Sequence, residues 1–377
     1  VNVRNRIEAE EIRRRATGVQ EPERLMISNC EVEGVLDLSG LAIAAPLMFV
    51  GCRFEQKIIL CGASLDALFI TGCELASLDG SGLQLGSDFQ LCDGTRVTGK
   101  VMLDHAQIEG NLSCSGAMLD GAIALTVDNA SINGHTILGN GFHSTGEVSL
   151  RGMRIGGMLY CSHGQFDCAG GVALIADGIN IGSNLVMSNG FKARGAVSLR
   201  DARVAGQIYC AQGSFENPGG VALSAERVRI GGRAFLGEWF NAKGATRLRG
   251  AKIGGDLYCV GGIFQNAGGN ALDAERIEIG GSMRMNQRFL AQGTVRLNHA
   301  KIAGTLNCTG GRFENRGSIA LSAESAEIGR DVILGSGFRA EGVVRLDGAK
   351  IGGTLDAEDA ASEEITTDGI QISRPSF

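Results

Sequence analysis

The chain has 377 residues, 44% of them hydrophobic, with 58 glycines, only 4 prolines and a formal net charge of −6. Disorder is excluded, because a disordered chain lacks apolar side chains to bury and is usually proline-rich; collagen is excluded because the glycines do not fall at every third position. No run of 18 apolar residues marks a membrane-spanning helix.

The opening stretch, VNVRNRIEAEEIRRRATG, is too charged for a secretory leader. Residues 1–20 carry five Arg and three Glu and read as a capping segment. Asn5 with Glu8 three residues on has the form of a capping box, and Gly18 of a stop. This predicts a short amphipathic helix over 5–17, covering the first turn of whatever follows.

Residues 21–120 are acidic, with 14 Asp and Glu against 5 Lys and Arg. Cys30, Cys52 and Cys73 follow one another closely here, which predicts tight turns. From 121 to 360 a longer repeat takes over. Its I-G-G-x-L step falls at Ile155, Val204, Ile253, Ile302 and Ile351, every 49 residues. Cysteines keep the same interval at Cys161, Cys210, Cys259 and Cys308, with Cys114 one slightly shorter repeat earlier; Phe166, Phe215, Phe264 and Phe313 keep it too. Each unit divides again into two halves of nearly equal length, with Cys210 mapping to Leu236 and Phe215 to Phe240.

Apolar residues alternate within each half, as at Val197 and Leu199, then Ala202 and Val204, then Ile208 and Cys210. Period two broken by glycine marks short strands with one buried face. A helix would lose about 1 kcal/mol at each interior glycine. Short strands repeating roughly every 21–25 residues predict an all-β fold, a right-handed parallel β-helix in which each turn buries the apolar face of the next. Residues 21–377 are then one solenoid of roughly 14 turns, a rod of about 65 Å at ~4.8 Å per turn. The cysteine column is expected to point inward, each small side chain touching its copy above and below, with the phenylalanines filling a wider corner. No CxxC spacing suggests a zinc or thiol-redox site, and 11 cysteines without a leader read as free thiols in a reducing compartment. In the C-terminal stretch, 361–377, Ile370 and Ile372 still alternate and Pro375 blocks further pairing. No helical cap is legible there, which makes the C-terminal turns a candidate homodimer surface.

The steps Ala63-Leu65, Cys73-Leu75, Ala106-Ile108, Ala117-Leu119 and Ala130-Ile132 resemble the pentapeptide-repeat superfamily. The resemblance implies a right-handed coil in which the small residue and the central Leu or Ile both point inward. The longer pattern VxLxGAxIGGxLxC…F…GGxALxAExxxIGG is similar to bacterial proteins labelled membrane-associated or pentapeptide-like oxidoreductases, over most of residues 25–360. That label implies redox chemistry, but the residues supply no dinucleotide motif: GNGFHSTG and GSGFRAEG have the wrong spacing and read as turns. Some members of the superfamily mimic duplex DNA, which the acidic 21–120 region would suit.

No catalytic, cofactor or metal residues are assigned. His105, His135, His143, His163 and His299 form no HExxH or repeated pair and read as isolated surface or turn residues. Two outward columns are the candidate partner-facing features. Arg154, Arg203, Lys252, Lys301 and Lys350 recur once per repeat, and Glu226, Glu275 and Glu324 form a second column with Arg200 and Arg249 in adjacent turns. Ion-pair ladders on a solvated face account for both, and interleaved acids disfavour direct binding of nucleic acid or another polyanion. The reading that follows is a non-enzymatic, cytoplasmic scaffold presenting a rigid surface to a protein partner, with peripheral membrane association left open. The alternatives are an oxidoreductase-like or enzyme-accessory protein and a DNA-mimicking inhibitor.

Overall fold

The computed structural model describes residues 5–18 and 24–373; Pro375 lies outside them. Over these residues the protein is all-β with one helix, a parallel β-solenoid of about 16 turns. The count exceeds the expected 14 because the early turns are short. Their register runs Ala42–Ser64–Gln84–Gln107, each step smaller than half of the later repeat. By its contacts the chain forms two compact units, residues 1–183 and 184–377.

In the first unit the strands before Gln165–Ile175 are two to four residues long, too short to stand alone and held by parallel pairing to the turns before and after. Leu47, Leu68, Phe89 and Leu112 stack through such pairings and are fully buried. The start corrects the expected capping box. Asn5–Glu8 is a strand in register with Cys30–Glu33, and the helix α1 follows at Ala9–Gly18. Cross-turn pairing outcompetes the local cap because it satisfies a whole run of backbone groups, and it sets Arg6 against Glu31 and Glu33 at 3.7 and 3.0 Å. The helix still covers the first turn, burying Ala9, Ile12 and Ala16.

In the second unit the two halves of the repeat differ in length. The outward column Arg203–Arg229–Lys252–Glu278–Lys301–Glu327–Lys350 advances by a longer and a shorter step in alternation. The three additional residues of the longer step form outward loops at 217–220, 266–269 and 315–318. Each is opposed by one glycine of the next turn, so the pairing resumes after the loop. The first residue of each loop closes it: Asn217, Asn266 and Asn315 donate from Nδ2 to the carbonyls of Val221, Asn270 and Ile319 at 3.0, 2.9 and 2.8 Å.

The interior is more interlocked than a stack of identical residues. Tyr209 pairs with Phe235 and Phe235 with Tyr258, which places Leu236 between Cys210 and Cys259. Cys114, Cys161, Cys210, Cys259 and Cys308 are buried, but in register each stands level with a residue of another kind. A small thiol alternates with Leu236, Met285 and Leu334, all buried, so volume is shared between turns.

The phenylalanines follow a related rule. Phe215 is level with Ala242, and Asn241, the residue after Phe240, is level with Ser214. Thus Phe215 and Phe240 are not register partners as the sequence mapping implied. Their rings nonetheless meet 5.2 Å apart, and every consecutive pair from Phe191 to Phe338 meets at 5.0–5.4 Å. Longer turns read G-x-F and shorter turns F-x-A, because each ring lies over a small residue of its neighbour. A Cβ on Gly262 would meet the Phe264 ring at 3.0 Å and the Leu236 carbonyl at 2.4 Å.

Candidate binding surface

Arg154, Arg203, Lys252, Lys301 and Lys350, the basic column, are all exposed. It is not a continuous basic row. Glu278 and Glu327 occupy the intervening strands, and Lys252 and Lys301 reach them at 2.8 and 4.0 Å. Exposed pairs of this kind contribute about 0–1 kcal/mol each. Glu226, Glu275 and Glu324 are half-buried at the adjoining bend. Glu275 pairs with Arg296 and Glu324 with Arg345, both at 3.4 Å. Arg249 turns instead to the buried Asp273 at 2.7 Å.

None of the eleven cysteines is in a disulfide. Burial drives the Cys114, Cys161, Cys259 and Cys308 thiols far above their ordinary pKa, which makes them poor nucleophiles. His105, His163 and His299 sit at left-handed turn positions, and His135 accepts a hydrogen bond at Nδ1 from the Met158 amide at 3.0 Å. Among the described residues no three or more His, Cys, Asp or Glu come together as a metal site.

Several acids of the first unit have structural partners. Arg6, Glu31, Arg53, Glu74 and Arg96 alternate in sign on successive strands. Asp37 accepts from the Ser39 hydroxyl and amide at 2.6 and 2.9 Å, which hold its carboxyl below the ordinary pKa. Burial pushes the Asp79 carboxyl up, but hydrogen bonds led by the Ser81 hydroxyl and amide at 2.7 and 3.1 Å outweigh it and hold this carboxyl low as well. Asp88, Asp104 and Asp128 accept amides of the following turn, from Asn111, Asp128 and Arg151, at 2.7–2.9 Å. Much of this acidity therefore fastens one turn to another.

A feature that sequence reading passed over stands at one corner of the second unit. There each shorter turn holds two consecutive residues in the left-handed region. Two of these pairs are Asn189–Gly190 (φ 47° and 80°) and Ser336–Gly337 (φ 35° and 81°), with glycine second. The two turns between them hold Glu238–Trp239 (φ 48° and 71°) and Gln287–Arg288 (φ 42° and 67°). An ordinary side chain in this conformation costs about 1–2 kcal/mol, which glycine escapes. Trp239, the only tryptophan of the chain, is 63% exposed, so interior packing does not account for it.

Between Trp239 and Arg288 lies the longer turn, where the corner residue is Gly261. The result is a depression of about 620 Å3 walled by Trp239 and Arg288, floored by Val260, Gly261 and Ile263, and edged by Gln212, Glu238 and Gln287. Its flank is stiff. Tyr209, Phe235 and Tyr258 stack in parallel at 5.0 and 4.9 Å, and the Arg284 guanidinium lies 5.3 Å over Tyr258. Tyr209 donates to Gln207 at 3.0 Å and Tyr258 to Asp256 at 2.8 Å. The signal was legible only by aligning SNGF, GEWF, NQRF and GSGF, where Trp and Arg replace glycine twice.

Fold and surface together define a repeat β-solenoid with one distinctive corner. Comparison with protein-family models, with curated proteins and with solved structures finds no match to this chain.

Proposed function

We propose that this chain is a non-catalytic binding module, related in design to pentapeptide-repeat solenoids, that presents the corner around Trp239 and Arg288 to a protein partner. One observation carries the reading: in two neighbouring short turns a large side chain occupies a left-handed position that glycine fills elsewhere in the repeat. Backbone strain of this kind persists where the surroundings enforce it and clusters at functional positions. Exposed Trp and Arg are also the residue types that dominate binding hot spots. A rigid solenoid suits such a surface because neighbouring turns fix where each side chain stands.

The test is a native pulldown with the whole chain as bait, repeated with Trp239→Gly/Arg288→Gly and with the Asp and Glu residues of 21–120 neutralised. Glycine restores the residue of the sister turns, so the variant retains its fold. The reading expects one specific partner, lost only with the corner variant. A partner lost only on neutralisation would overturn it in favour of a mimic of acidic nucleic acid. A bait capturing only copies of itself would move the function to residues 352–373. None of those residues is buried, and Leu355, Ile365, Ile370 and Ile372 are half-exposed.

A further inference from the structure

Resting on that reading, we infer that the corner takes a polyproline II segment in which a proline and an acidic residue are three positions apart. The argument begins with spacing. Trp239 and Arg288 occupy equivalent places two turns apart, which at ~4.8 Å per strand is ~9.6 Å along the solenoid. A polyproline II helix returns to the same face every third residue, at ~3.1 Å per residue or ~9.3 Å. An extended strand returns every second residue, at ~6.6 Å, and its next same-face residue is at ~13 Å. An α-helix presents its face at i+3 and i+4, ~4.5–6 Å along its axis, and would need a continuous apolar stripe between the walls. Between the walls only Val260 and Ile263 offer apolar side chains.

Chemistry then assigns the two ends. The exposed indole of Trp239 offers a flat apolar face for a proline ring, the usual way aromatic grooves take such segments. Arg288 offers a planar fork matched to a carboxylate. Glu238 stands beside Trp239, so an acid at the tryptophan end would meet a like charge, and this fixes which end is which. The backbone of polyproline II makes no internal hydrogen bonds. The amides of Gln212 and Gln287, at the edge of the depression, can donate to its carbonyls.

The single tryptophan makes the site its own reporter. The probe is the peptide Ac-Ala-Pro-Ala-Pro-Glu-Pro-Ala-amide, titrated into the full chain while tryptophan emission is followed. A saturable blue shift is expected, weakened at least tenfold by Arg288→Ala and by Glu to Lys in the peptide. Pairing Arg288→Glu with the Lys peptide should restore the shift. No shift, while the pulldown partner still depends on Trp239 and Arg288, would overturn the peptide class and leave the binding module standing. A peptide with proline and glutamate two positions apart binding equally well would overturn the spacing argument. Loss of both the shift and the corner-dependent partner would remove the binding reading as well.

Discussion

Replacing Gly244 by alanine tests whether the outward loops are locked by the turn that follows. Gly244 has φ 122°, and a Cβ there would lie 2.4 Å from the Asn217 carbonyl oxygen and 3.0 Å from that of Gly220. Both are backbone atoms of the loop that Asn217 closes onto Val221, so neither can retreat without loosening the loop. The backbone conformation alone is worth about 1–3 kcal/mol against alanine, and the overlap adds about 1–3 kcal/mol. Gly244→Ala should therefore destabilise by about 2–6 kcal/mol. Gly219, at the loop tip, is the control: its φ is 76° and a Cβ would meet nothing within 4 Å. Gly219→Ala should carry only the left-handed penalty of about 1–2 kcal/mol. Urea unfolding followed by far-UV circular dichroism measures both, with the slope checked so that a midpoint shift can be read as stability. Equal losses for the two variants would refute the claim that the Gly244 backbone is wedged between the loop carbonyls. Gly293 and Gly342, with Cβ positions 2.5 Å from the Asn266 and Asn315 carbonyls, offer the same test in two further turns.

Cys210 is fully buried and level with Leu236. Cys210→Ala should cost less than about 1.5 kcal/mol, whereas Cys210→Asp, which buries a charge without a designed partner, should cost more than about 3 kcal/mol; similar, small losses in thermal melts would place that column outside the core. Ala234 lies in an inward column between Ile208 and Leu257, beside an apolar void of about 20 Å3 that Leu236 and Ile253 also line. Filling it by Ala234→Val should stabilise by about 0.5 kcal/mol at ~24 cal/mol per Å3, and a lowered melting temperature would show that the void cannot accept the methyl groups.

The period of the repeat and its inside-outside alternation were legible in the sequence alone. Strand side chains alternate strictly, and stacking carries each position to its copy, so Ile155, Val204, Ile253, Ile302 and Ile351 are all buried while the Arg or Lys before each is exposed. What belongs to one strand could be read from one strand.

The remainder was decided between turns. Which half-repeat is the longer, and where its additional residues go, depends on which amide finds which carbonyl a full turn away. A count of spacing averages that choice out. Phe215 therefore pairs with Ala242 rather than Phe240, and Asn5 joins a strand although its spacing from Glu8 has the form of a helix cap. The corner at Trp239 belongs to the same class. In the sequence it is one aromatic among glycines, and only the closed turn, with Gly261 between Trp239 and Arg288, makes it a wall.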